Sequence, residues 1–168
     1  EFATDPNRFE KLLPVYIVKP MYVWSAWVFY KAGFSLPAAT VIPSIIAFLM
    51  IGVFLFYWLC KYLQTGIAFL AGLLIMFSIF TLAVAGLSTP DCLSAFFLFV
   101  AMYFILEKQH IAWMFIFFLL AVFTRVDNII TCFFMLTFLT FSPTWKRISK
   151  AKYLLMLTAL AAAYVCIM

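Results

Sequence analysis

Three short stretches carry side chains whose types and spacing could do chemistry: Tyr16-Ile17-Val18-Lys19-Pro20, Ser88-Thr89-Pro90-Asp91 and Thr124-Arg125-Val126-Asp127. Each sets charge directly beside an apolar run. An ammonium such as Lys19 at a membrane interface suits a lipid phosphate. A carboxylate in the first turn of a helix, as Asp91 would be, sits at the positive end of the macrodipole, where it could orient a hydroxyl, hold a metal or accept a proton. Plainer roles compete with each of these. Lys19 could only snorkel to the interface, and Asp91 could only support a helix start capped by Ser88 or Thr89. For Arg125 and Asp127, a structural ion pair at a turn is the simpler reading and phosphate binding the sharper one.

The elements that must position these residues are apolar to a degree that excludes an ordinary soluble domain. The chain is 68% hydrophobic and only 10% charged, with 22 phenylalanines in 168 residues. Globular domains are about 45–50% apolar and about 25% charged. A soluble fold of this length could not hide so much apolar surface, so lipid must solvate most of it. The formal charge of +5 does not indicate nucleic acid, because the basic residues fall in short breaks between apolar runs rather than in a stripe. Cys60, Cys92, Cys132 and Cys166 are isolated inside apolar segments and have no metal-ligand or disulfide spacing.

Apolar spans are expected at about 38–60, 67–88, 91–106, 111–124, 128–141 and 153–168, giving an all-α polytopic transmembrane bundle. The stretch 111–141 could be one helix or a hairpin. One helix would bury Arg125 and Asp127 near mid-membrane, at roughly 2.5–3.5 kcal/mol each. A hairpin broken at 124–128 puts them at one surface and is the preferred reading. It also gathers Lys61, Lys108 and the cluster Lys146, Arg147, Lys150 and Lys152 on the other side, which the positive-inside rule makes cytoplasmic. Lone His110 falls among those cytoplasmic charges, where solvation is its simplest role. The helices 91–106 and 111–124 would be only about 24 Å and 21 Å long. Asp91, Arg125 and Asp127 would then lie somewhat below the outer surface, facing a wet cavity or one another.

Residues 1–37 read as an extracytoplasmic loop. Pro14 and Pro20 limit helix there. The stretch 21–32, crowded with Tyr22, Trp24, Trp27, Phe29 and Tyr30, is too short to span and suits an interfacial helix ended by Gly33. The chain opens on a polar stretch and stops at Met168 within an apolar run, the expected look of a piece of a longer protein.

YIVKPMYVW (16–24), followed by Ala32-Gly33 and 38–45, resembles the first extracytoplasmic loop and next span of membrane-embedded GT-C glycosyltransferases, whose best-known members are the lipid A aminoarabinose transferases and the protein O-mannosyltransferases. STPDCLSA (88–95) with 103–106 is similar to their second-loop signature. AVFTRVDN (121–128) resembles the turn two spans later. The likeness covers most of 14–141 in the family's order, through motifs that are each weak alone. It implies transfer of a sugar from a polyprenyl-phosphate donor to an extracytoplasmic acceptor. By that resemblance Lys19 contacts the donor phosphate and Asp91 belongs to the active-site acidic set as the catalytic candidate. Arg125 would join Lys19 on the phosphate, with Asp127 and Tyr16 in support. The family's usual base follows the first transmembrane helix, which would precede Glu1. A divalent metal stays open as a cofactor, but Val18 stands where the aminoarabinose enzymes place a metal-binding glutamate, so no metal ligand is assigned.

The leading expectation is therefore a transferase fragment, multi-pass in a bacterial inner (plasma) membrane. Segments 1–37, 88–91 and 125–128 would be extracytoplasmic, and the fragment itself inactive. Its partners would be a polyprenyl-phosphate sugar donor and membrane lipid, not nucleic acid. The alternative is a non-enzymatic polytopic protein, either a transporter or flippase half with Asp91, Arg125 and Asp127 lining a polar path or a structural subunit. Against the transporter, no internal repeat is evident.

Overall fold

A computed structural model of the chain describes residues 19–78, 90–107, 111–141 and 149–167. Among the described residues there are seven α-helices and no strand: α1 Pro20–Lys31, α2 Leu36–Leu59, α3 Thr65–Met76, α4 Asp91–Leu106, α5 Ile111–Thr124, α6 Asn128–Phe141 and α7 Lys150–Ile167.

Local chemistry sets the first boundaries. Proline at the first position of α1 needs no N–H partner there and arrives with a helical φ. The helix ends in a Schellman motif: Gly33 takes φ 97°, its N–H donates to the Tyr30 carbonyl, and the Phe34 N–H reaches back to Phe29. α2 starts after Ser35 with Pro37 in its first turn. Inside it, Pro43 is buried and cannot donate to the Ala39 carbonyl, so the helix carries one gap in its ladder. At 24 residues, α2 is about 36 Å long and is the one helix among the described residues both long and apolar enough to cross a membrane. α3 to α7 are apolar but shorter in that respect.

Of the helix expected over 67–88, the described part runs from Thr65 to Met76 and is followed by a turn at Phe77 and Ser78, closed by the Ser78 N–H on the Ile75 carbonyl; 79–88 lie outside the described residues. No glycine or proline marks that stop. Met76 instead packs on Gly52, where a Cβ would come within 3.1 Å of its terminal methyl. Pro90 holds the cap position of α4, and no side chain caps that end among the described residues; Ser88 and Thr89, the expected caps, lie outside them. The stretch 111–141 divides at Arg125–Asp127 into α5 and α6.

Two contacts fix the helix directions. Lys61, just beyond α2, pairs with Glu107, just beyond α4, so these two helices are parallel and finish together. Arg125, after α5, pairs with Asp91, which opens α4, so α5 runs antiparallel to α4. Phe141 at the end of α6 stacks edge-on against Tyr153 at the start of α7. α2 and α4 to α7 thus have an Arg125 end and a Glu107 end. α1 packs on α2 and α5, with the Tyr22 hydroxyl donating to the Thr40 carbonyl at 2.7 Å.

Apolar side chains fill the interior and also cover much of the outside. Ala39, Ala47, Ala68, Ala101, Ala121, Ser44 and Thr124 are fully buried, so small residues let the helices approach closely. Large apolar side chains such as Val53, Leu74, Phe134, Leu155 and Val165 point outward, each more than 60% exposed. Larger residues fill two cores. Phe118, Val122, Leu136 and Leu139 anchor one among α4 to α7, while Phe96, Phe97 and Val100 pack with Ala47 and Ala121 in the other.

Candidate functional site

The Arg125 end brings together three of the five residues singled out from sequence. The Arg125 guanidinium pairs with Asp91 through Nη1 and grips Asp127 through Nε and Nη2, at 3.3 and 3.1 Å. These bonds engage three of its five N–H groups. Burial opposes the guanidinium charge, but the Asp91 and Asp127 carboxylates outweigh it and raise the pKa. The cluster is open: the side chains of Arg125, Asp91 and Asp127 are 42%, 35% and 74% exposed. Its formal charge is −1, from one cation and two carboxylates.

Beneath it lies a polar lock that sequence reasoning missed. Asn128, the first residue of α6, is buried and donates its side-chain amide to Ser94 Oγ at 2.6 Å and to the Ala121 carbonyl at 2.8 Å. Asp91 and Ser94 are one turn apart on α4, as Arg125 and Asn128 are across the α5–α6 turn. Both pairs therefore match at the same separation of 34 residues. The available signal was the polar Ser94 and Asn128 at i+3 from two charges otherwise set in apolar sequence. The first turns of α4 and α6 thereby lie side by side, so two macrodipole positive ends face this surface.

Lys19 is half-buried and holds the cap position of α1, its carbonyl accepting the Val23 N–H. Met21, two residues on, packs against the core containing Cys92 and Ala121, so α1 starts beside the same end of the bundle. Tyr16 lies outside the described residues, as do Val18 and His110.

No protein-family model matches the chain, nor does any curated protein or solved structure. The site must be judged on its own geometry. Among the described residues, no three His, Cys, Asp or Glu side chains gather as a metal site would require, and all four cysteines are free thiols.

The Glu107 end carries a second cluster, also unforeseen beyond its two charges. Glu107 Oε1 accepts from Trp58 Nε1 at 2.9 Å and from the Tyr62 hydroxyl at 2.6 Å, while Lys61 lies 3.2 Å from Oε2. Lys61 also donates to the Tyr103 hydroxyl at 2.6 Å and sits over the Tyr103 and Tyr57 rings. The bonds from Tyr62, Trp58 and Lys61 hold Glu107 below the usual carboxylate range. The bond to Tyr103, with help from Glu107, lifts Lys61 above its ordinary value.

Proposed function

We propose that the chain is the outward-facing part of a polytopic membrane glycosyltransferase that takes its sugar from a polyprenyl-phosphate donor. Membrane insertion as a bundle is supported by the outward-facing Phe, Leu and Val side chains on α2, α3, α6 and α7, which in water would form an aggregating surface. The ordered resemblance of 14–141 to GT-C enzymes supplies the reaction class.

The observation that carries the reading is the meeting of Asp91 with Arg125, 34 residues away, and its neighbour Asp127 at one surface beside the start of α1. In this reading the two carboxylates fix the guanidinium, and its two remaining N–H groups, with the Lys19 ammonium, bind a donor phosphate. Two helix N-termini add to the attraction for an anion. Asp91 then stands beside that phosphate, where an acceptor hydroxyl must approach the anomeric carbon.

A non-enzymatic polytopic protein is the second reading, favoured by one specific fact: Arg125 already has two carboxylate partners and no surplus positive charge. Sugar transfer by the full-length protein carrying Lys19→Ala or Asp91→Asn, at unchanged membrane abundance, separates the two. The transferase reading expects each to lose about a hundredfold or more in rate, the usual scale for removing an electrostatic or proton-transfer group. Undiminished transfer in both variants would sink it.

A further inference from the structure

α1 has two apolar faces, and one of them meets protein. Tyr22 and Ala26 are buried, and Met21 packs on the core that holds Cys92 and Ala121. Val23, Trp24, Trp27, Val28 and Lys31 recur at helical spacing on the opposite side and are all exposed, the two indoles at 59% and 53%. A helix lying flat on a membrane shows water a charged face. α1 has no such face: Lys31 is its one charge, and its serine hydroxyl turns back to the Tyr22 carbonyl. The outward side of α1 is therefore suited to lipid.

Its height follows from α2. That helix finishes level with α4 at the Lys61–Glu107 pair but has 24 residues against 16, so its start stands about 12 Å beyond Asp91. α1 packs on this overhang, where the Tyr22 hydroxyl meets the Thr40 carbonyl, and joins it through residues 32–35. Lys31 thus lies by the first turn of α2, at a rim where residues 31–37 are all exposed. With α2 set across a hydrocarbon core of about 30 Å, that rim reaches the headgroups.

Charge selects the headgroup. Lys31 Nζ lies 5.9 Å from the centre of the Trp27 ring, and no carboxylate pairs with it among the described residues. No Asp or Glu occurs between Glu10 and Asp91, and Asp91 is held by Arg125. The indole N–H groups of Trp24 and Trp27 have no protein acceptor among the described residues. The face thus offers three donor groups, one of them an uncompensated cation, and no side-chain acceptor. A phosphate diester matches it. A choline group does not, because the ammonium already beside the Trp27 ring would repel it. Indole rings also favour the level where headgroup meets chain.

We infer that the outward face of α1 binds an anionic phospholipid of the leaflet at the Arg125 end, with the headgroup phosphate on Lys31 and the ester region against Trp27 and Trp24. The inference rests on the membrane insertion proposed above and is independent of glycosyl transfer.

The test reconstitutes the full-length protein in phosphatidylcholine vesicles doped with phosphatidylglycerol that carries a photoreactive group on its headgroup glycerol, and maps the labelled peptides. α1 should take more label from this probe than from a phosphatidylcholine probe with the same group, and unlabelled phosphatidylglycerol should displace it. Lys31 is exposed and touches only an indole face, so Lys31→Ala leaves the packing alone. It should lower the preference for the anionic probe by about fivefold, equivalent to about 1 kcal/mol, and Lys31→Arg should restore it. Trp27→Leu should cut the α1 label severalfold with either probe. Three results would overturn the inference: equal labelling of α1 by the two probes in the unaltered protein, a preference unchanged by Lys31→Ala, or displacement by polyprenyl phosphate or inorganic phosphate but not by phosphatidylglycerol.

Discussion

The two ends of the bundle use similar charges in opposite ways. At the Glu107 end, one carboxylate takes donors from Trp58, Tyr62 and Lys61, and the ammonium is covered by two tyrosine rings. That cluster pairs one charge of each sign. At the Arg125 end, one guanidinium shares two carboxylates, keeps two N–H groups over, and leaves Asp127 three-quarters exposed. The first arrangement balances its charges and is the less exposed, whereas the second carries a net −1 and is the more open. The contrast makes the Glu107 end a clamp between α2 and α4, and it is at the more open Arg125 end that the proposed function places its chemistry.

The largest stability effect should come from beneath the open cluster. Asn128→Ala takes the amide donor from the buried Ser94 hydroxyl, while the Ala121 carbonyl keeps the Arg125 backbone N–H, at a cost of about 1–3 kcal/mol. Thermal unfolding of the full-length protein in detergent would record it. Asn128→Asp should be worse, because it places a charge where only an amide is solvated by the fold. If both variants unfold like the unaltered protein, the lock does not hold the two first turns together and the comparison loses its footing.

The clamp should show itself through pH. Glu107 is depressed in the folded state, so its stabilisation is present above the ordinary glutamate value of about 4.3 and is lost as pH falls through the lower folded value. Lys61 is raised, so its share is present below about 10.4 and is lost as pH rises through the higher folded value. Glu107→Gln should therefore lower the unfolding temperature at neutral pH and flatten its fall between about pH 5 and pH 3. An acid limb unchanged by Glu107→Gln would mean that the cluster contributes nothing at that end.

How much of this was legible in the sequence follows from the range of each signal. Where a local signal exists, it was readable: Pro20 and Gly33 bracket α1, and the TRVD break divides 111–141 into α5 and α6. The stop at Met76 was not readable, because Phe77 and Ser78 carry no breaker and the neighbouring contact is with Gly52 on another helix. Likewise, Asp91, Arg125 and Asp127 announced themselves by being charged in an apolar chain. Their partners Ser94 and Asn128, and the tyrosines and tryptophan around Glu107, are recognisable only once distant helices are side by side. Charge is visible in one dimension, but the bonds that satisfy it are set in three.

Arg125→Lys sharpens the comparison at its open end. A lysine keeps the charge but loses the planar fork that reaches Asp91 and Asp127 at once. Because the pair is partly exposed, the stability loss should stay within about 1 kcal/mol. Phosphate-dependent function should fall much further than stability does. If Arg125→Leu and Arg125→Lys lowered stability and function in step, the guanidinium would be a fastener like Lys61, and the two ends would not differ in kind.

Asp127→Asn is the smallest change and the finest discriminator. Its side chain is 74% exposed and bonds only the guanidinium among the described residues, so stability should move by no more than about 0.5 kcal/mol. The substitution removes one of two negative charges on Arg125 and takes the cluster from −1 to neutral. A site built for a phosphate should then bind its anion equally well or more tightly, measured by protection from thermal unfolding with added polyprenyl phosphate. A site built for a cation or a proton path should weaken instead. The sign of that small shift therefore reports which charge the open end was arranged to receive, at a position where the fold itself is indifferent.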